Sequence, residues 1–490
     1  MKSTIKVLVL LCLVSTLAQA QQSPMQFWRP NDQRGVNVFE TPKTDTIPFT
    51  GVHVNVGGAF AQHYQAITTS NYVTNSDGSW IVPSNINPAQ TSLTAADTQN
   101  HLTKLTSGFN LAMANMSLDA QVADGIRVNV AVYLSTRHHE DCWVKNGYLQ
   151  MDKALFLNSD LINDIFKYLT VKVGDLEVDY GDAHYYRADG GNEMYNPFVE
   201  NNIMDEFATE IGGEIYFHDP SGILAMVGAT DGMLNPTVKA ALALDSATGA
   251  VNNYNPAYHF KLGYDKQINS DLRVRLTGSY YTESSTASST LFGGDRAGSN
   301  YVTDMVTQAA LAAASSGDAN EVFTDGRYNP GFSEAVSTFM INPFIKFGGL
   351  EFFGTYESAK GRKIFEKDTR DATQLAADLL YRFGNHEQFW IGGRYNTLKT
   401  QWTPSSAANL AALVAQFGSV SSIPDITINR ICGSIGWFLV PSVMMKIEYV
   451  SQQFNDFPGS SSLAASKNLP VNVLTDGKFN GLMVEAAVGF

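Results

Sequence analysis

The stretch KFNGLMVEAAVGF, residues 478–490, decides how the rest of the chain is read. Leu482, Val484, Ala486, Val488 and Phe490 fall on one face of a period-two pattern, and Met483, Glu485, Ala487 and Gly489 on the other. Such alternation predicts an extended strand with a different solvent on each side. Terminal residues usually fray because little ties them down, so a strand that runs to its last side chain calls for a reason. A wall with lipid outside and a wet interior supplies one, and the pattern suits the closing strand of a membrane β-barrel.

The same alternation gives candidate strands near residues 51–61, 106–118, 125–136, 143–153, 168–178, 208–218, 222–232, 256–267, 271–284 and 336–347. Six more lie near 349–360, 374–384, 387–399, 425–439, 442–454 and 478–490, for an even total of sixteen. Their joins alternate in length: short at 124–125, 219–222, 269–271, 348–349, 385–386 and 441–442, long at 62–105, 179–207, 233–255, 285–335, 400–424 and 455–477. Short periplasmic turns opposite long outer loops mark an all-β, sixteen-stranded antiparallel transmembrane β-barrel. Two joins break the rule. Residues 137–142 are short where an outer loop is due, and 154–167 are long where a turn is due, with LFLNSDLINDIF predicting a short amphipathic helix. The alanine-rich run VTQAALAAASSGDANEVF, 306–323, predicts one short helix in a loop. A soluble sandwich also carries alternating strands, but it leaves Phe490 unexplained.

At the other end, Lys2 and Lys6, the apolar run Val7 to Val14 and Ala18-Gln19-Ala20 read as a secretory signal over residues 1–20. Cys12 sits inside the apolar run behind Leu10 and Leu11, which argues against a lipoprotein anchor. No later run approaches the roughly 18 apolar residues of a spanning helix, so membrane residence is expected by strands. Residues 21–49, with Pro30, Pro42 and Pro48, form an extended N-terminal extension, periplasmic or lumenal, and the barrel takes 50–490. The extension is too small for the folded plug of an energised transporter. Removing the signal takes two of 33 bases and leaves 31 against 47 acids, a net charge of −16. Nucleic acid is excluded as a partner on that balance. Charged residues make up 16% of the chain, low against the roughly 25% of soluble proteins. Cys142 and Cys432 remain, and spacing leaves open whether they meet.

A one-residue slip would put charge into lipid, at a cost of about 2–4 kcal/mol for Arg or Lys at the midplane. The apolar face therefore fixes which side chains point inward. In GIRVNVAVYL the outward set is Ile126, Val128, Val130 and Val132, which sends Arg127, Asn129 and Tyr133 inward. The same rule turns Lys172, Lys261, Arg273, Arg275, Lys346, Arg382, Arg394, Arg430 and Lys446 inward, against the acids Glu214, Asp265, Glu351, Glu357, Asp378, Glu448 and Glu485. Basic walls in a narrow pore favour anions, whereas mutual pairing of these charges would only keep the lumen wet. The third loop, YGDAHYYRADGGNEMYNPFVENNIMDE, has the base Arg187 among six acids and makes the constriction less anion-friendly if it folds inward. Trp390, Tyr395, Trp437, Tyr449 and Phe490 are expected in interfacial girdles.

Catalytic chemistry finds little support. RHHEDC, 137–142, offers possible metal ligands, but neighbours on a loop rarely reach one ion and no metal site is expected. CGSIG at 432–436 lacks the first glycine of a nucleophile elbow and lies in a strand. No phosphate-cradling Gly-Lys-Ser/Thr loop occurs. No catalytic residues and no cofactor are expected, and the chain is not read as an enzyme.

LTVKVGDLEVDYG at 169–181, AYHFKLGYDKQINSDLRVRLTGSYY at 257–281, ITINRICGSIGWFLVPSVMMKIEYVSQQF at 426–454 and the closing FNGLMVEAAVGF resemble the phosphate-selective porin family, the O- and P-type outer-membrane porins. The resemblance runs in order over about residues 105 to 490, as pattern more than identity. It implies a sixteen-stranded trimeric pore with an inward-folded third loop and an arginine ladder, with Arg127, Lys172, Arg187, Arg273, Arg275, Arg394 and Arg430 lining the pore. The acidic third loop and residues 21–49 depart from the family pattern, and the family's central anion-binding residues have no one-to-one match.

The expectation is a passive porin in the outer membrane of a Gram-negative bacterium, homotrimeric, embedded among lipid and lipopolysaccharide, and conducting small hydrophilic solutes with a lean toward phosphate-like anions. A non-selective or cation-preferring porin is the runner-up, followed by a surface adhesin or barrel enzyme that uses its long loops. A terminal phenylalanine on a lipid-facing strand is similar to the signal that barrel-assembly machinery reads. Deleting Phe490 is therefore expected to leave protein misassembled in the periplasm. Gel-shift assays of heat-modifiable trimers check this, and normal trimers from the deletion would rule the signal out.

Overall fold

The structure, a computed structural model, describes residues 24–41, 43–44, 47–82, 89–110, 113–135, 142–233, 255–286, 288–294, 298–313, 325–459 and 471–490. The signal segment 1–20, most of RHHEDC and most of the loop 233–255 lie outside the described residues.

The strands are β1 (His53–Ser70), β2 (Gly108–Phe109), β3 (Met113–Ala123), β4 (Ile126–Ser135), β5 (Cys142–Met151), β6 (Leu169–Glu177), β7 (Thr209–His218), β8 (Ile223–Thr230), β9 (Ala257–Gln267) and β10 (Leu272–Glu283). They continue as β11 (Ala335–Phe347), β12 (Leu350–Arg362), β13 (Arg370–Phe383), β14 (Phe389–Gln401), β15 (Asp425–Val440), β16 (Val443–Asn455) and β17 (Lys478–Gly489). Successive strands from β3 to β17 pair antiparallel, and β1 pairs with both β3 and β17, so the sheet closes on itself. The two residues of β2 pair with β1 at Tyr64 and Gln65, beyond the point where β3 leaves it. They share one position in the wall with β3, and the wall has sixteen strands.

The expected strand 51–61 runs on to Ser70, because QHYQAITTS keeps the alternation through residues expected in a loop. The strand expected at 106–118 is centred later, at Met113–Ala123, and ends on the Asp124-Gly125 turn, where Gly125 has φ +72°. Residues 154–167 form a short helix, Asp160–Phe166, as expected, preceded by a tight turn at Leu155–Leu157. The alanine-rich run is helical over Gln308–Ala313, and 314–324 lie outside the described residues. Among the described residues no helix is long and apolar enough to cross a membrane.

Inside and outside follow the register. Val54, Phe60, Leu262, Leu379, Ile391 and Ile447 face out and are exposed, while Arg127, Asn129 and Tyr133 face in and are buried. Phe490 is stitched to Gly58 by two backbone hydrogen bonds and projects outward, whereas Gly489 turns inward. An outer face apolar along its strands and an inner face rich in charge define a transmembrane barrel. At the turn end, Tyr381, Phe383, Phe389 and Trp437 stack in series at 5.5–5.9 Å on the outside; of the expected girdle residues, Trp437 is in this stack and Tyr395, Tyr449 and Phe490 also face out. Trp390 is not part of it. It lies inside, 2% exposed, and donates from Nε1 to the Pro197 carbonyl at 3.3 Å. On β14 the even-numbered residues face the lumen, and Trp390 shares that face with Arg394 and Asn396.

A sixteen-stranded wall encloses more space than its own side chains fill. Here the interior has an apolar core supplied by loops: Phe198, Val199, Ile203 and Met204 pack with the wall residues Met340, Phe344, Trp390, Met444 and Met483. Cys432 is buried and Cys142 is exposed, both as free thiols. The Trp390 ring lies over Gly436, its partner on β15, where an added Cβ would fall 1.9 Å from the ring. Gly436→Ala is expected to push the indole off Pro197 and cost about 1–3 kcal/mol, read as a lower midpoint for loss of the heat-modifiable folded band.

Candidate functional site

Among the described residues, three segments shape the part of the lumen around the third loop. The third loop, residues 178–208 between β6 and β7, crosses from one wall to the other and is nearly all buried. Its backbone is held by the far wall: Val199 N donates to Glu448 at 2.8 Å, Ile203 N to Asn396 at 2.6 Å and Met204 N to Gln374 at 2.8 Å. Lys446 Nζ donates to the carbonyls of Asn196 and Phe198 at 2.9 and 2.8 Å, and Arg394 to that of Glu200 at 2.8 Å. Buried backbone groups need such partners, and the wall's polar side chains supply them.

The long loop between β10 and β11 lies against the third loop. Ser299 and Asn300 bond the Glu200 carboxylate at 2.7 Å, and Tyr328 N donates to Ile203 O at 2.8 Å.

At the turn end, residues 24–50 pass across the barrel inside the wall. Gln26 accepts from Gly125 N, Trp28 donates to Asp119 at 3.2 Å, and Gln33 reaches the turns at Pro441 and His386. Asn37 donates to Glu351 at 2.6 Å, Glu40 pairs with Arg275 at 2.7 Å, and Lys43 with Asp152 at 3.2 Å. The strap also carries the third loop. Arg29 lies over the Tyr195 ring at 3.7 Å and donates to Tyr185 O at 3.2 Å, and Tyr186 donates to Asn37 at 3.1 Å. Gly489 is where the strap crosses the closing strand, since a Cβ there would fall 1.9 Å from Asn31 O.

These insertions leave a chamber of about 240 Å³ against β3–β7. Trp28, Arg29, Phe39 and Glu40 of the strap, Asp119, Arg127, Tyr148, Lys172 and Tyr216 of the wall, and Glu177, Asp179, His184 and Tyr185 near the loop line it. A second cavity, about 600 Å³, opens at the turn end beside Lys43, His218 and Arg273. Phe39 and Glu40 border both.

The structure turns the ten wall bases inward and pairs most of them. Arg127 meets Asp119, Lys261 meets Asp179 and Asp182, and Arg273 meets Asp265 at 2.7 Å. Arg275 bridges Asp182, Glu40 and Asp265, while Lys346 and Arg382 share Glu351 at 2.8 Å each. Arg394 meets Asp378 at 2.7 Å and Lys446 meets Glu485 at 2.9 Å. Arg187, on the loop, meets Asp205 at 2.9 Å. Arg430 is taken up by Gln452 and the carbonyls of Asn201 and Gly326. Lys172 differs: among the described residues no carboxylate lies within ion-pair distance, and its ammonium sits 4.5 Å over the Tyr216 ring and 3.1 Å from that hydroxyl. Of the eleven bases only Arg127 and Lys172 line the chamber; Arg273, Arg275, Lys346 and Arg382 border the turn-end cavities, and Arg187, Lys261, Arg394, Arg430 and Lys446 hold or form the third loop.

The loop's own acids have unequal lots. Burial alone would raise Asp182, but Arg275 and Lys261 outweigh it and hold the carboxyl at about 2. Glu193 has no cation within ion-pair distance among the described residues: burial, then repulsion from Glu485, outweigh the more distant Lys145 and Lys446 and push it up to about 8. Sequence reasoning missed the chamber's Tyr148 and Tyr216 and the strap's Phe39 and Glu40. The inward parity of β5 and β7 signalled the two tyrosines, while the strap has no periodicity to read. Among the described residues no group of three His, Cys, Asp or Glu side chains is arranged to hold a metal ion.

The architecture is that of a closed sixteen-stranded transmembrane barrel whose lumen holds its own loops. Among solved structures the chain is similar to OmpT, an outer membrane protein of Vibrio cholerae, with 10% identity, 91% of this chain and 99% of that one covered, and a TM-score of 0.47. It is similar to the outer membrane channel DcaP of Acinetobacter baumannii at 10% identity, 90% and 98% coverage and a TM-score of 0.47, and to an anion-selective porin from Comamonas acidovorans at 9%, 90% and 100%, and 0.45. No family model and no curated protein matches the chain. The barrel assignment rests on the strand ladder itself.

Glu193 makes the loop's packing pH-dependent. Because the buried carboxyl titrates above its ordinary value of 4.5, its contribution is fully present below about pH 4.5 and falls away as pH rises toward about 8. Limited proteolysis within 187–206 is expected to quicken across that window, and Glu193→Gln to flatten the profile.

Proposed function

We propose that the chain is a passive channel in the outer membrane of a Gram-negative bacterium, admitting small hydrophilic solutes as part of a homotrimer. The short turns then face the periplasm and the long loops the cell exterior, with lipid and lipopolysaccharide around the wall and Phe490 as the assembly signal. The solute route follows β3–β7 through the chamber, past Phe39 and Glu40 of the strap, into the turn-end cavity. Residues 24–50 serve as its lumenal floor.

The observation that carries the reading is Lys172, a wall cation that faces the chamber with its charge not cancelled by a contacting carboxylate. A charge at a low-dielectric constriction focuses its field on passing ions. The other bases pair with acids where they stand, except Arg430, which is buried against Gln452 and loop carbonyls away from the chamber, so the lean toward anions comes from one residue rather than from a ladder, and it is mild and not specific to phosphate.

Reversal potentials of purified protein in planar bilayers under a salt gradient test this. The wild type is expected to favour anions modestly, Lys172→Gln to bring the potential close to zero, and Arg273→Gln to leave it nearly unchanged because Asp265 already cancels that charge. Equal effects from both substitutions would return the selectivity to the ladder, and no conductance in any variant would end the channel reading.

A further inference from the structure

The join between β5 and β6 is long where every neighbouring join at the turn end is short, and its side chains point the wrong way for a watery loop. Leu155, Phe156, Leu157, Leu161, Ile165 and Tyr168 are all exposed, from 39% at Tyr168 to 71% at Leu161. The helix Asp160–Phe166 is anchored from beneath: Asn163 and Phe166 line a cavity shared with Phe27 of the strap, which leaves Leu161 and Ile165, one turn apart, on the opposite side. A cluster of six large apolar side chains in the open signals an interaction surface.

Its surroundings identify the occupant. Tyr168 packs 6.1 Å from Phe217, which faces outward on β7, so the ridge continues the apolar exterior of the wall rather than forming a separate patch. Lys153 precedes the segment and Lys167 lies near its end, each partly or well exposed and each tied to a nearby acid, Asp124 at 2.7 Å and Asp164 at 2.6 Å. Apolar side chains flanked by lysines whose ammonium groups stay in water match the boundary between acyl chains and phosphate headgroups.

We propose that residues 155–168 form an interfacial anchor that lies in the membrane leaflet on the turn side, with phospholipid as its partner: acyl chains against Leu161 and Ile165, and headgroup phosphate beside Lys153 and Lys167. The proposal rests on the membrane-barrel reading. It gives the irregular join a purpose, since the anchor holds the floor of the barrel at one depth where the strap's Phe27 is seated.

The test is spin-label accessibility in lipid nanodiscs, in a background with Cys142→Ser and Cys432→Ala. Nitroxides at Leu161→Cys and Ile165→Cys are compared with Leu262→Cys on the outer face of β9 and Ser221→Cys in a turn. Labels at 161 and 165 are expected to collide with dissolved oxygen several-fold more than with a water-soluble nickel chelate, as the label at 262 does. Nickel access matching the label at 221 would overturn the anchor. Shielding from both reagents with dipolar broadening between copies would overturn it in favour of a second copy of the chain. A nickel-accessible label at 262 would show that the membrane reading had failed first, and the anchor with it.

Discussion

Everything inside this barrel follows from a mismatch of volume. Sixteen strands close a wall whose interior is too wide for wall side chains to fill, and the chain brings its own loops in to occupy it. A loop taken out of water must then have its backbone groups satisfied. The inner face answers with Asn396, Gln374, Glu448, Arg394 and Lys446, each aimed at a main-chain group of the third loop. The polar lumen is therefore first a scaffold for a buried loop, and only in the chamber beside β3–β7 a surface for solutes.

That order of priorities decides the electrostatics. An inner wall with more bases than acids looks like an anion path when only the wall is counted. The strap and the third loop add Glu40, Asp179, Asp182 and Asp205, and these meet Lys261, Arg275 and Arg187. Buried pairs of this kind contribute little net stability against their desolvation, and removing one partner costs about 3–5 kcal/mol. They fix where the loop sits. Lys172 makes its contacts with the Tyr148 and Tyr216 rings, and the nearby carboxylates Asp179 and Glu214 act on it without an ion-pair contact.

Much of the wall was legible because period-two alternation is a local property: the inward parity of Arg127, Lys346 and Arg430 follows from their immediate neighbours. Errors in the wall came where the local signal was ambiguous. Residues 62–70 alternate with polar side chains and so resemble a loop, and Trp390 looked interfacial from its composition while its parity sent it inward. The site was far less legible. The partners of Glu40 lie more than two hundred residues away in sequence, at Arg275, and no pattern within residues 24–50 encodes them. The inward fold of the third loop was legible from family resemblance alone, since its acids pair with cations on β9, on β10 and in the loop between β10 and β11.

Gly489 bears on how such a molecule is made. The seam between β1 and β17 joins residues as far apart as Ala59 and Gly489, and it forms only when the last strand exists. The strap leads directly into β1 and crosses the inner side of that seam at Asn31, where the absence of a side chain on Gly489 leaves room for it. The geometry has the first and last strands meet as neighbours, with the strap packed against the inner side of their seam. The entropic penalty for joining distant segments grows only slowly with their separation, and the cost of this arrangement falls on folding speed rather than on the stability of the finished barrel.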